Sequence, residues 1–281
     1  MRTWILLAAL CGAFSYSDPQ IAVGGDTPIK VVNLEKLNTA GDEEDPCPAL
    51  EGLLFARKGK KDYDLYLSKR ATASAPFGPG VAFLADRGAD VRAPFAFQGK
   101  YYFATNEVPD EKFAKLKNFD LMLQVGKQRA EAIITNDINT KADEMYPWIG
   151  AGGKEFYFSR MTVDGWKLFV VPGVVPGPAK AKDVGFPAGF HRATMAGSSL
   201  TMYLQGPLED GKIGIYRSKR DKVGGAWSKP EPVEALNHPD SKKGDMQPAL
   251  SPDASRLYFV SDRPGGKGGL DIWSVTTIQL K

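Results

Sequence analysis

SPDASRLYFVSDRPGGKGGLDIWSV, residues 251–275, decides the fold. An aromatic-rich run, LYFVS at 257–261, is joined to a second apolar run, DIWSV at 271–275, by a glycine-rich loop. Gly-Gly-Lys-Gly-Gly at 265–269 invites comparison with a phosphate cradle. Such a loop needs G-x-x-x-x-G-K-[ST] between a strand and a helix. Here Lys267 is followed by Gly268, and the segment beyond reads as a strand, so no helix N-terminus meets an anion. A dinucleotide fingerprint fails for the same reason. The glycines are therefore expected to supply positive φ in a hairpin loop, with Lys267 facing water.

The same plan recurs four more times. The copies open near Asp45, Ala93, Tyr146, Arg192 and Gln247, and each has a Pro-apolar step: Pro48, Pro94, Pro147 and Pro248, with Ala193 in the divergent fourth copy. Those steps are 46, 53, 46 and 55 residues apart. A tight turn follows, then an aromatic strand (LLFAR, YYFAT, FYFSR, MYLQG, LYFVS), a loop, and a second strand at 64–68, 120–124, 167–171, 214–218 and 271–275. Alternating apolar residues bounded by Gly, Asp and Pro are a hairpin signature. With a further extended piece such as WSKPEPVEAL at 227–236, each unit supplies three or four antiparallel strands, the size of a propeller blade. A lone blade cannot bury both faces; blades packed in a ring can.

Residues 251–275 resemble the TolB-type, WD40-like β-propeller repeat of exported bacterial proteins, which reads S-P-D-G-x-x-L-Y-F-x-S-[DN]-R, then Gly-rich, then D-I-[YW]. The chain departs from it at Ala254, where Gly is usual, and in the fourth copy, which lacks the Pro and the Asp-aliphatic-aromatic step. The resemblance implies a periplasmic or secreted propeller, usually non-catalytic and used for protein contact. VVNLEKLNTAGDEEDP at 31–46 also resembles PVEALNHPDSKKGDMQP at 232–248. The chain thus starts with a linking strand whose natural partner is the last blade. The expected fold is all-β: a five-bladed β-propeller of antiparallel blades over 31–281, closed into a ring by the N-terminal strand.

Composition agrees. The chain has 281 residues, 43% hydrophobic and 25% charged, with 30 Gly and 20 Pro, which fits a globular chain rich in turns. Net charge is +3 without a basic block, so no nucleic-acid footprint is visible. Arg2, the apolar run from Trp4 to Phe14, and Ser15 and Ser17 at −3 and −1 of a cleavage point read as a signal peptide over 1–17. Residues 18–30 then form an N-terminal extension. Losing the leader removes Cys11 and leaves Cys47 alone, read as a small buried residue that forms no internal disulfide.

Two groups of acids stand out. Asp64, Asp120 and Asp271 open the second strand of three copies and suit turn hydrogen bonds. Asp45, Asp90, Asp143, Glu144 and Asp245, with His191 in the fourth copy, lie just before the first strands, which line the channel in propellers. They are the ligand-binding candidates. Converging at one mouth, they suit a polar ligand or a divalent cation; otherwise they cap turns on a solvated rim. No other cofactor is expected, and no catalytic residue is assigned. Basic residues at 68–70, 218–220 and 242–243 read as exposed, either protecting edges or forming a docking patch for an acidic surface. With only His191 and His238, and no room for an added domain, a serine-peptidase triad is not supported.

The function expected is an exported, monomeric interaction or ligand-binding module, periplasmic or secreted. Its partner would be another envelope or secreted protein. The competing expectation is a carbohydrate-active hydrolase with carboxylates at the channel, since glycoside hydrolysis needs a paired acid and base or nucleophile.

Overall fold

The computed structural model describes residues 29–72, 75–85, 88–107, 118–126, 130–133, 137–173, 177 and 179–280. The leader at 1–17 and Cys11 lie outside the described residues, as does the extension up to residue 28. No helix among the described residues is long and apolar enough to cross a membrane.

Among the described residues twenty strands follow in chain order: β1 (Val32–Asn33); β2 (Glu43–Ala49), β3 (Gly52–Lys58), β4 (Tyr63–Ser68) and β5 (Val81–Leu84); β6 (Val91–Phe97), β7 (Lys100–Thr105), β8 (Asp120–Val125) and β9 (Glu131–Ala132); β10 (Glu144–Gly150), β11 (Glu155–Thr162), β12 (Gly165–Pro172) and β13 (Lys182–Asp183); β14 (His191–Met195), β15 (Thr201–Pro207), β16 (Ile213–Lys219) and β17 (Glu231–Pro232); β18 (Asp245–Leu250), β19 (Arg256–Ser261) and β20 (Asp271–Thr276). They form five antiparallel four-stranded sheets. Four sheets are built from consecutive strands. The fifth is β18-β19-β20 completed by β1, with Val32 opposite Ser274 and Asn33 opposite Trp273. β2, β6, β10, β14 and β18 contact one another in turn and back to β2, so the sheets close a ring. The chain is a five-bladed β-propeller sealed by its N-terminal strand.

The second strand of each blade is buried on both faces. Leu53 to Ala56 and Leu257 to Val260 are each at most 1% exposed. A strand sandwiched between neighbouring blades has no solvent face, which is why these stretches read as near-continuous apolar runs. Aromatic pairs bridge blades, as where Tyr102 of blade 2 meets Phe156 of blade 3 at 5.8 Å between ring centroids.

Three local readings are corrected. Each inner strand carries a bulge, and the residue in it has positive φ: Asp45 55°, Ala93 51°, Tyr146 59°, Arg192 57° and Gln247 58°. Pro46, not Pro48, therefore shares the place of Pro94, Pro147 and Pro248; the Pro-x-Pro run at 46–48 had hidden a two-residue shift. In the glycine loop, only Gly265 has positive φ (88°). A Cβ on Gly268 would sit 2.3 Å from the Gly41 carbonyl oxygen, and one on Gly269 2.2 Å from Asp42 Oδ1. Those glycines let the last blade approach the linker into the first. Finally, Arg220 is buried, and its guanidinium forks onto Glu155 of the neighbouring blade at 2.9 and 2.6 Å, so the 218–220 triplet is not wholly exposed. Ala254 adopts φ 56°, so the turn keeps the geometry that glycine favours in the repeat.

Candidate functional site at the channel mouth

A bulge re-aims one side chain out of the pleat. Five of them, one per blade, aim Asp45, Ala93, Tyr146, Arg192 and Gln247 at the ring axis. These residues, those that follow them, and Cys47, Trp148 and Ala249 line a central pocket of about 40 Å³.

Charge in this centre is paired across the ring. Arg192 of blade 4 reaches Asp45 Oδ1 of blade 1, and its guanidinium lies 3.6 Å from the Tyr146 ring centroid of blade 3. Arg92 of blade 2 donates through Nε to Asp45 Oδ2 at 3.1 Å and through Nη2 to Glu44 Oε2 at 2.5 Å. The Ala93 amide also donates to Asp45 Oδ2, at 3.0 Å. Gln247 of blade 5 closes the circuit: its Oε1 accepts from the Asp45 amide at 2.6 Å, and its Nε2 donates to Glu44 Oε2 at 2.7 Å. The Tyr63 hydroxyl donates to Glu44 Oε1 at 2.5 Å. All five blades contribute, and two carboxylates meet two guanidinium groups.

Protonation follows from these contacts. Burial pushes the Glu44 carboxyl up, but Arg92, the Tyr63 and Gln247 hydrogen bonds and Arg192 outweigh it and hold Glu44 below the usual range. Burial brings Arg192 down to about 9, against the pull of Glu44. Burial alone takes His191 down to about 3. His191 stacks on Trp166 at 5.4 Å, and Gln205 Nε2 donates to its Nε2 at 2.9 Å. The ring is therefore neutral and protonated at Nδ1, which has no partner among the described residues. Cys47 is buried as expected, and its thiol is pushed up to about 12, away from reactivity.

Of the six candidates read from the sequence, Asp45 lines the central pocket. The others are spent on neighbouring backbone and side chains. Asp90 Oδ1 accepts from the Tyr63 amide at 2.7 Å, and Asp143 Oδ1 from the Phe119 amide at 2.8 Å. Glu144 accepts from the Thr140 amide and hydroxyl at 3.0 and 2.6 Å and from Arg160 Nε at 2.7 Å. Asp245 accepts from the His238 amide and Arg263 Nη2, both at 2.6 Å. His191 is in the second layer, behind Gln205. Among the described residues, no three His, Cys, Asp or Glu side chains are grouped to hold a metal ion.

Glu44, Arg92, Tyr146, Arg192 and Gln247 were missed. A usable signal existed: four of the five bulge residues immediately precede proline, at 45–46, 93–94, 146–147 and 247–248. The second acid group behaves as expected at Asp271, which accepts from the Lys267 and Gly268 amides at 2.5 and 3.2 Å and from Asn33 Nδ2 at 2.8 Å. Asp120 differs. Burial and nearby Glu144 push it up to about 6, against one hydrogen bond from Asn118.

No protein-family model matches the chain, and no curated protein matches it either. Solved structures do. The catalytic domain of a GH62 α-L-arabinofuranosidase from Coprinopsis cinerea is similar with a TM-score of 0.58 at 11% identity, over 89% of this chain and 97% of that one. TolB from Acinetobacter baumannii is similar with a TM-score of 0.53 at 12% identity, over 84% of this chain and 54% of that one. An endo-arabinase from Bacteroides thetaiotaomicron VPI-5482 is similar with a TM-score of 0.53 at 16% identity, over 87% and 95%. At such identities the likeness concerns the fold alone, and that fold serves proteins of both kinds.

Proposed function

We propose that this chain is an exported, non-catalytic β-propeller that works as a protein-interaction module. The observation that carries the reading is the central pocket: about 40 Å³, with its one carboxylate paired to guanidinium groups. Pockets that take small organic ligands run to about 300–1,000 Å³. Glycoside hydrolysis also needs a carboxyl group that keeps its proton near neutral pH. Glu44 is held ionised instead, and its neighbour Asp45 lies on the same strand rather than across a scissile bond. Export rests on the leader pattern at 1–17.

The two function classes separate in one set of assays. Purified protein is incubated with a panel of arabinans, xylans and other glycans, and products are analysed by mass spectrometry. In parallel, immobilised protein is titrated with envelope extract, and retained protein is tested for saturable, stoichiometric binding. The expected outcome is no hydrolysis and one saturable partner. Hydrolysis that Asp45→Asn abolishes would overturn the module reading in favour of a carbohydrate-active hydrolase.

A further inference from the structure

The seam where the ring closes holds guanidinium charge that no carboxylate among the described residues pairs. A cleft of about 410 Å³ lies there, walled by β1 and the residues after it, by Arg70 and residues 75–77 of blade 1, and by Arg256 and Ser274 of blade 5. Elsewhere Arg57, Arg92, Arg160, Arg192, Arg220 and Arg263 each hold a carboxylate. Among the described residues Arg70, Arg217 and Arg256 hold none; Arg217 donates to the Leu280 carbonyl oxygen at 3.0 Å, and Arg70 and Arg256 both line this cleft. Both are half-buried rather than free in solvent. The Arg70 guanidinium lies 4.9 Å from the Phe77 ring centroid, and Arg256 Nη1 donates to Ser274 Oγ at 3.4 Å.

An arginine stays charged at every physiological pH and offers a planar fork that matches an oxyanion. Lys36 adds a third cation and Glu35 one anion, so the cleft is net positive. Leu34, Pro76 and Phe77 give it apolar walls, which suit a carbon stem behind the anionic group better than a bare ion. We propose that this cleft takes a carboxylate-bearing segment of a protein partner, with Glu or Asp beside apolar side chains, bridging Arg70 of blade 1 and Arg256 of blade 5. The proposal rests on the interaction-module reading and names the partner's chemistry. Because the segment would touch both blades that β1 joins, its binding stabilises the closed ring.

The probes are a fluorescent peptide of alternating Leu and Glu and its counterpart of alternating Leu and Lys. Binding is read by anisotropy at about 50 mM and about 300 mM salt, and ring stability by the thermal midpoint with and without peptide. The acidic probe should bind saturably and raise the midpoint. Arg70→Gln and Arg256→Gln should each weaken it about tenfold, the loss of one charged hydrogen-bonding partner. Lys219→Gln with Lys222→Gln, exposed lysines away from the cleft, should leave it unchanged. If the Gln variants fold poorly, Arg70→Lys and Arg256→Lys carry the test, since they keep the charge and lose the fork. Four results overturn the proposal: no saturable binding, equal binding of the basic probe, equal loss in the lysine control, or a midpoint shift that inorganic phosphate reproduces in full. Failure here with envelope-partner retention intact leaves the module reading standing. Glycan turnover overturns that reading whatever the peptides do.

Discussion

At the scale of single residues, Asp45 carries the most. It takes a strained positive φ, faces the axis, and neutralises guanidinium groups from two other blades. Removing one member of a buried ion pair costs about 3–5 kcal/mol, because the other charge is left stranded. Asp45→Ala should therefore lose about that much in urea unfolding. Adding Arg192→Met should recover part of it, since a stranded cation is replaced by an apolar chain of similar length. A wild-type midpoint in Asp45→Ala would show that the clamp adds little. His191 sets a pH limit. Its ordinary value is 6.5 and its folded value about 3, so across that window the unfolded chain binds a proton that the folded chain refuses. Stability is full above pH 6.5 and falls as pH drops toward 3, by up to about 1.4 kcal/mol per unit. His191→Phe keeps the stack on Trp166 and removes the titration, so its unfolding midpoint should fall less steeply between pH 6.5 and 4.5 than that of the wild type. Ala254 holds a left-handed turn without glycine. Ala254→Gly should add about 0.5–1 kcal/mol, the relief of a strained Cβ less the entropy glycine brings to the unfolded chain; a loss on denaturant titration would mean that the turn is not strained.

At the scale of elements, the linkers between blades are the repeated invention. Asn38, Asn139 and Asn237 each pair a side-chain amide with both backbone groups of one strand residue in the blade before: Ile272, Leu121 and Ile215. Arg57, Arg160 and Arg263 then tie the acid at the head of the next inner strand to the linker carbonyls of Leu37, Ile138 and Leu236. This device explains why Glu144 and Asp245 precede inner strands without facing the axis. It was half legible. The likeness of 31–46 to 232–248 exposed two of the three copies, and the Arg of the repeat signature was visible at 263. What the sequence could not reveal is which way the acids turn, because a bulge separates them from the channel position. Asn38→Ala should cost about 2 kcal/mol, the loss of two strand contacts with part of their desolvation. Amide exchange should then quicken at β20 and at the start of β2, the two sides of the seam. Asn139→Ala should cost a similar amount and quicken exchange at β8 and β10 instead. Identical exchange maps for the two variants would show that the linkers do not act locally.

At the scale of the whole molecule, the ring was readable because each blade repeats the same burial problem, whereas the site was not. Its members are brought together from sequence separations as large as 203 residues, the span from Glu44 to Gln247. Repetition makes a fold conspicuous; a site built from one different residue per copy is, by construction, the part that does not repeat. The same closure makes stability depend on the first described strand. β1 contributes two residues to the last sheet, but Ile29 and Val31 pack in the cluster around Trp273 and Leu280, and the Leu34 amide donates to the Ile272 carbonyl at 3.1 Å. A chain beginning at residue 37 would keep Asn38 and all other blades, yet leave β20 as a bare apolar edge. Losing two apolar anchors and the ladder should cost about 3–4 kcal/mol, a fall of about 6–16 °C in thermal midpoint for a domain of this size. Exchange should quicken in β18–β20 and β2–β3 while β10–β12 stays protected, and the exposed edge should promote concentration-dependent association. Equal quickening in all five blades would mean that the ring unfolds only as a whole and that the seam is no weaker than any other joint.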